Sequence, residues 1–189
     1  CIDTREIAKK KSICTGRSFG DMVTDIDSLK EAVAHFAAGS ANKLRGQSSL
    51  ARTVTVFIYS NRFREDLSQY NHAMTLSFSS PTSDTIEITA LALHILHQIY
   101  KPGIMYKKAG IILSDITEAR PFQLNMFDPI QNRKERHQLM TSIDVINQTF
   151  GLKTIKLAVE GIGSHQWDIK CEHRSPNYLT DLNQLLTIK

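Results

Sequence analysis

The chain has 189 residues, 41% of them hydrophobic and 22% charged, which suits one ordinary core with a small second module and excludes a disordered or fibrous protein. Its 23 Lys+Arg against 19 Asp+Glu give a net charge of +4. The excess sits at the ends, +3 in residues 1–20, −2 in 21–100 and +3 in 101–189, so a polyanionic partner is permitted without being required. No window approaches the roughly 18 apolar residues of a membrane span, and the charged start lacks the apolar segment of a secretion signal. Three scattered cysteines (Cys1, Cys14, Cys171) make neither a disulfide framework nor a CxxC pair. These features predict a soluble, intracellular protein in a reducing compartment. A first residue Cys1 in place of Met leads us to expect a piece of something longer.

In chain order, residues 1–10 read as a polar linker, followed by a short strand that runs through Ile13, Cys14 and Gly16 to Arg17-Ser18-Phe19-Gly20. Ser28 and Glu31 have capping-box spacing, and Leu29, Ala32, Val33, Phe36, Ser40 and Leu44 fall on one helical stripe, predicting a helix over about 28–45. Residues 51–60 (ARTVTVFIYS) and 71–80 (NHAMTLSFSS) read as strands. Asp84 and Glu87 repeat the cap spacing ahead of Ile88, Leu91, Ala92, Ile95 and Ile99, and Pro102-Gly103 stops that helix. A last strand covers 104–113.

The order β-α-β-β-α-β predicts an α+β fold: a four-stranded antiparallel sheet with two helices on one face, a ferredoxin-like plan that leaves the other face bare. Alternation turns Val54, Val56, Ile58, Met74, Leu76 and Phe78 toward the helices and Thr53, Thr55, Tyr59, Thr75 and Ser77 away. In the last strand Met105, Ala109, Ile111 and Leu113 should pack, with Tyr106 and Lys108 outward and Lys107 breaking the pattern. The first strand has no readable inner side, because Ile13, Thr15, Arg17 and Phe19 share one side and Ser12, Cys14, Gly16 and Ser18 the other.

Two prolines and an abrupt change of composition mark residues 114–134 as an interdomain linker. The domain boundaries expected are 1–10 linker, 11–114 sheet domain, 115–134 linker and 135–189 a small α+β C-terminal module. That module should hold a helix ending at Gly151 and a short hairpin, and at about 55 residues it should lean on the first domain or on a partner. Inside the linker, Gln123-Leu124-Asn125-Met126-Phe127 holds large apolar side chains that no amphipathic element claims. They either anchor in a partner's pocket or tack the linker onto its own domain.

Arg17-Ser18-Phe19-Gly20, Lys107-Lys108-Ala109-Gly110, the pentapeptide QLNMF, LMTSIDVIN at 139–147, Trp167 and Ser175-Pro176-Asn177-Tyr178 follow one another in an order and spacing that resembles, essentially end to end, the C-terminal half of UmuC-type proteins. These are the catalytic subunits of bacterial DNA polymerase V, among the Y-family translesion polymerases. The resemblance implies a little-finger domain gripping the DNA backbone, a motif docking on the β sliding clamp, and a small C-terminal domain. It assigns Arg17, Ser18, Phe19, Gly20, Thr53, Thr55, Lys107 and Lys108 to DNA, and Gln123, Leu124, Asn125, Met126 and Phe127 to the clamp.

The resemblance further implies a bacterial cytoplasmic enzyme of the SOS response and DNA repair, with UmuD′ and a RecA filament as possible partners. Magnesium and the catalytic carboxylates would belong to a palm domain that these residues lack, so this fragment alone should carry no cofactor and no activity. Two positions depart from the family pattern: Met126, where Leu is more usual, and Leu179, which stands where a threonine pair is expected. His94 and His97 have no third ligand at metal spacing, and no nucleophile elbow, P-loop or HExxH occurs. The alternative from another class is a protein-interaction module whose sheet binds a polypeptide; a small ferredoxin-like enzyme lacks a residue set.

Overall fold

The computed structural model describes residues 9–119, 132–163, 165–170 and 175–177. Seven main elements follow one another: β1 (Ile13–Val23), α1 (Ile26–Gly46), β2 (Ser49–Ser60), β3 (Asn71–Thr82), α2 (Thr85–Ile99), β4 (Tyr106–Glu118) and α3 (Arg133–Phe150). A short 3-10 helix, Ala158–Glu160, comes after them. The four strands form one antiparallel sheet in the order β1-β4-β2-β3. Each crossover therefore skips a strand: β4 separates β1 from β2, and β2 separates β4 from β3.

The helices start where a carboxylate can cap them. Asp25 accepts from the Ser28 amide at 2.7 Å and caps α1, whose first residue, Ile26, lies two residues ahead of the expected Ser28, with Lys43 and Arg45 in the last turn to complement the helix dipole. Asp84 accepts from the Ile86 amide at 2.8 Å and starts α2, which ends at Ile99 as the chain runs into Pro102 and the positive-φ Gly103.

Both helices lie on one side of the sheet. Leu29, Val33, Phe36 and Leu44 of α1, Ile88, Ile95 and Leu96 of α2, and Val54, Val56, Ile58, Ile111 and Leu113 of the sheet form one buried cluster. Each such side chain contributes roughly 1.5–3 kcal/mol relative to an exposed position.

Three expectations are corrected. β4 carries one extra residue: Tyr59 pairs with Lys108 and Ser60 with Tyr106, so Lys107 is bulged. The bulge flips the preceding alternation. Tyr106, expected outward, is fully buried with its hydroxyl donating to the Lys101 carbonyl, and Met105, expected inward, is 41% exposed. β4 also continues to Glu118, well past 113 and into the expected linker. In the C-terminal module α3 begins at Arg133, and the expected hairpin is replaced, among the described residues, by turns and the 3-10 helix.

Candidate nucleic-acid interface

The sheet face away from the helices is a lattice fixed by strand register. Its rows, read from β1 to β3, are Ser18–Lys108–Tyr59–Asn71, then Gly16–Gly110–Phe57–Ala73, then Cys14–Ile112–Thr55–Thr75. Ser114, Thr53 and Ser77 continue it on the inner and β3 strands. These positions hold one ammonium and no carboxylate. Hydroxyls pair across the strands, Thr53 Oγ1 with Ser114 Oγ and Thr55 Oγ1 with Thr75 Oγ1, both at 2.7 Å.

At the centre sits Phe57, which the sequence reading did not single out. Its ring lies over the facing pair Gly16 and Gly110: a Cβ on Gly110 would come within 2.3 Å of Phe57 Cζ, and one on Gly16 within 3.0 Å. Two glycines side by side thus make a floor on which one aromatic ring rests, leaving Phe57 only 6% exposed. Tyr59 stacks on Phe57 with centroids 5.1 Å apart, and the Lys108 ammonium lies 5.9 Å above the Phe57 ring. The signal was present in the sequence: Phe57 shares the parity of Thr53, Thr55 and Tyr59, but the run Phe57-Ile58-Tyr59 hides it among apolar neighbours.

The residues assigned to DNA by resemblance divide. Ser18, Thr53, Thr55 and Lys108 share the open face, with Ser18 and Lys108 exposed and the two threonines half-buried. Arg17 does not join them. It has the parity of Ile13 and Phe19, which are buried in the core, and of Thr15, whose Oγ1 accepts from Ser40 of α1 at 2.8 Å; its positive charge acts on His35 of α1. Phe19 is 2% exposed in the core, so its side chain is unavailable to a ligand.

Gly20 is covered as well. Its amide donates to the Asp168 carbonyl at 3.2 Å, its carbonyl accepts from Lys107 Nζ at 3.0 Å, and a Cβ there would meet Asp168 O at 2.5 Å. Lys107 is tied down by the same contact. The motif Gln123-Leu124-Asn125-Met126-Phe127 lies outside the described residues.

On the opposite side the C-terminal module packs against α1 and α2. Trp167 is buried against Phe36 (5.7 Å between centroids) and His35 (5.1 Å) and stacks on His165 (4.8 Å), whose Nδ1 lies 2.9 Å from Glu31 Oε2. α3 is joined by ion pairs. Arg45 forks onto Asp144 at 2.6 and 2.8 Å, Arg136 reaches Asp84 at 2.6 Å, and Arg133 lies 3.6 Å from Glu87. Burial raises the Glu87 carboxyl above its ordinary value despite Arg133 and Arg136. Burial acts the same way on Asp144, but the Arg45 fork and Asn42 outweigh it and hold that carboxyl low.

Comparison with known proteins assigns the sheet. Residues 10–126 match the impB/mucB/samB family C-terminal domain. The chain belongs to this family. In it, protein UmuC of Salmonella typhimurium is 34% identical over the whole chain, and ImpB and SamB of Salmonella typhimurium are 35% and 36% identical over 95% of it. The chain spans less than half of these relatives, 45% of UmuC and 42% of ImpB. Residues 137–188 match a domain of unknown function, DUF4113. A Y-family DNA polymerase chimera of known structure aligns with 61% of the chain and 31% of its own, at 13% identity and a TM-score of 0.41.

The impB/mucB/samB match therefore spans the whole sheet domain and includes the pentapeptide except for Phe127, and the second match begins within α3. Among the described residues of this family member, no three His, Cys, Asp or Glu side chains gather as a metal site would require, and no helix is long and apolar enough to cross a membrane. His94 lies 2.9 Å from the Gln98 amide on its own helix.

Proposed function

We propose that this chain is the DNA-gripping and clamp-recruiting part of an error-prone Y-family translesion polymerase. The observation that carries the reading is the open sheet face: hydroxyls on either side of the glycine-backed Phe57 ring, with one outward ammonium, no carboxylate and no Asn, Gln or Arg fork set at its centre. Hydroxyls and a lysine bond phosphate and sugar oxygens wherever they fall, whereas base reading needs bidentate side chains carried into a groove. Such a surface holds a duplex without regard to sequence, as copying of damaged templates demands. Ser18, Lys108, Thr53 and Thr55 make these contacts, with Phe57 as the support beneath Lys108.

Leu124, Met126 and Phe127 supply the apolar part of a hook for the β sliding clamp, with Gln123 the polar part and Asn125 the variable position. Docking on a ring that encircles DNA raises the effective concentration of the sheet at the duplex. In the full-length protein the polymerase step, its magnesium and nucleotides lie with the absent palm, and UmuD′ and a RecA filament are further partners in a bacterial cytoplasm. No donor set among the described residues fits that magnesium.

Binding of primer-template DNA to the chain, measured at several salt concentrations, tests the grip. The affinity falls linearly with salt on logarithmic axes, and Lys108→Ala lowers the slope by about one. Arg17→Ala, on the other side of the sheet, lowers it by less. A slope near zero overturns the grip. For the hook, L124A with F127A abolishes binding to purified β clamp while leaving the circular dichroism spectrum unchanged; an unaltered affinity overturns recruitment.

A further inference from the structure

We infer that the loop joining β2 to β3 is a stacking platform for an unpaired nucleobase, with Phe63 as the platform and Arg62 as its cation. The inference rests on the DNA-gripping reading of the adjoining face and extends it from duplex to single strand.

Phe63 is 88% exposed. A single exposed apolar side chain is ordinary on a mobile loop; this one is held on a fixed frame. Gln69 is the hub: its Nε2 donates to the carbonyls of Asn61, Arg64 and Leu67 at 3.1, 2.7 and 3.2 Å, and its Oε1 accepts from Ser60 Oγ at 3.2 Å. The Phe63 amide itself donates to Asn61 Oδ1 at 3.1 Å. Because the backbone under the ring is already ordered, a ligand that stacks on it pays little further entropy.

The charges of the loop favour a base over a phosphate. Arg64 forks onto Asp66 at 2.7 and 2.6 Å and is spent within the loop. Arg62 is exposed and has no hydrogen bond or ion pair among the described residues, while the exposed Glu65 balances it. A nearly neutral tip with one aromatic ring and one free guanidinium offers a π face and a planar cation, the two surfaces that hold bases irrespective of sequence. Position supports the same ligand. The loop leaves β2 after Ser60 and enters β3 at Asn71, beside Tyr59 and Asn71, the β2 and β3 members of the row that contains Ser18 and Lys108. A strand whose phosphates lie on that row passes to the loop where it leaves the duplex.

The test is fluorescence anisotropy of the chain with a blunt DNA duplex, the same duplex with a single-stranded overhang, and purified β clamp, each with the wild type, Phe63→Ala and Phe63→Trp. The overhang should tighten binding about ten-fold. Phe63→Ala should erase that gain and leave the blunt duplex unchanged, and Phe63→Trp should keep it. Failure to bind either DNA overturns the gripping reading and this inference together. Binding of both DNAs with no gain from the overhang, or a gain that survives Phe63→Ala, overturns the inference alone. Loss of clamp binding on Phe63→Ala, with DNA binding intact, assigns the ring to a protein partner and overturns it likewise.

Discussion

α1 and α2 meet the sheet chiefly through apolar side chains, whereas α3 meets α1 and α2 largely through charge. Leu29, Val33, Leu44, Ile88, Ile95 and Leu96 are fully buried, but of the 18 residues of α3 only Arg133 and Met140 are buried. The first kind of contact is non-directional and stabilises in proportion to area. The second is directional and adds little net stability, because the desolvation of each ion offsets most of the attraction. The sheet domain is therefore built for cohesion and the α3 seam for orientation.

The sharpest way to break the contrast is to cut each kind of contact once. Leu96→Ala, in the apolar layer, should cost about 2–5 kcal/mol of global stability, read as a drop in the chemical-denaturation midpoint of the whole chain. Arg45→Ala should come next, at about 2–4 kcal/mol, because it leaves the part-buried Asp144 without its cation, held by Asn42 alone, and also removes bonds to the Ser83 carbonyl and Thr85 Oγ1. Its signature is local: hydrogen exchange should quicken in α3 and at the start of α2 while the sheet amides hold. Equal loss across both halves would show that the two contacts are not distinct in kind.

The pH dependence sharpens the comparison further. Burial, then the charges of Lys153, Arg17 and His165, lower His35 to about 4, with Asp168 acting the other way. The unfolded chain binds a proton near pH 6.5 that the native chain refuses until about 4, so this histidine lowers stability progressively as pH falls through that window. Glu160, 3.7 Å from His35 and raised by burial, opposes that trend at the acid end. Comparing wild type with His35→Gln between pH 7 and 4 isolates the histidine: the wild type should lose more stability across the interval, and parallel curves would refute the assignment. The smallest effect belongs to the open face, where Thr55→Ala, losing one exposed hydroxyl pair, should change stability by about 0.5 kcal/mol or less.

Much of this was legible in the chain itself. The element order, the cap at Asp84, the stop at Pro102-Gly103, and the inward faces of β2 and β3 follow from spacing, because alternation and helical stripes report local burial directly. The strand order does not, since the same element order threads more than one sheet. The side taken by Arg17 was unreadable because β1 is an edge strand with mixed residues on both sides. Only the packing of Phe19 and the bond from Ser40 to Thr15 decide it. Tyr106 misled because one bulged residue inverts parity without changing composition. The resemblance carries residues over as a block, and the fold splits that block: Phe19 and Gly20 serve the interior and the C-terminal segment, while Ser18 and Lys108 remain on the surface.

The ring of Phe57 and the two glycines beneath it behave as a single unit of inheritance. A side chain cannot appear at Gly110 while the ring remains, and loss of the ring would uncover a bare strip of backbone in mid-sheet. Descendants of this sequence should therefore change the three positions together or keep all three, and the pattern of variation among relatives would carry that mark even where every neighbouring position has drifted.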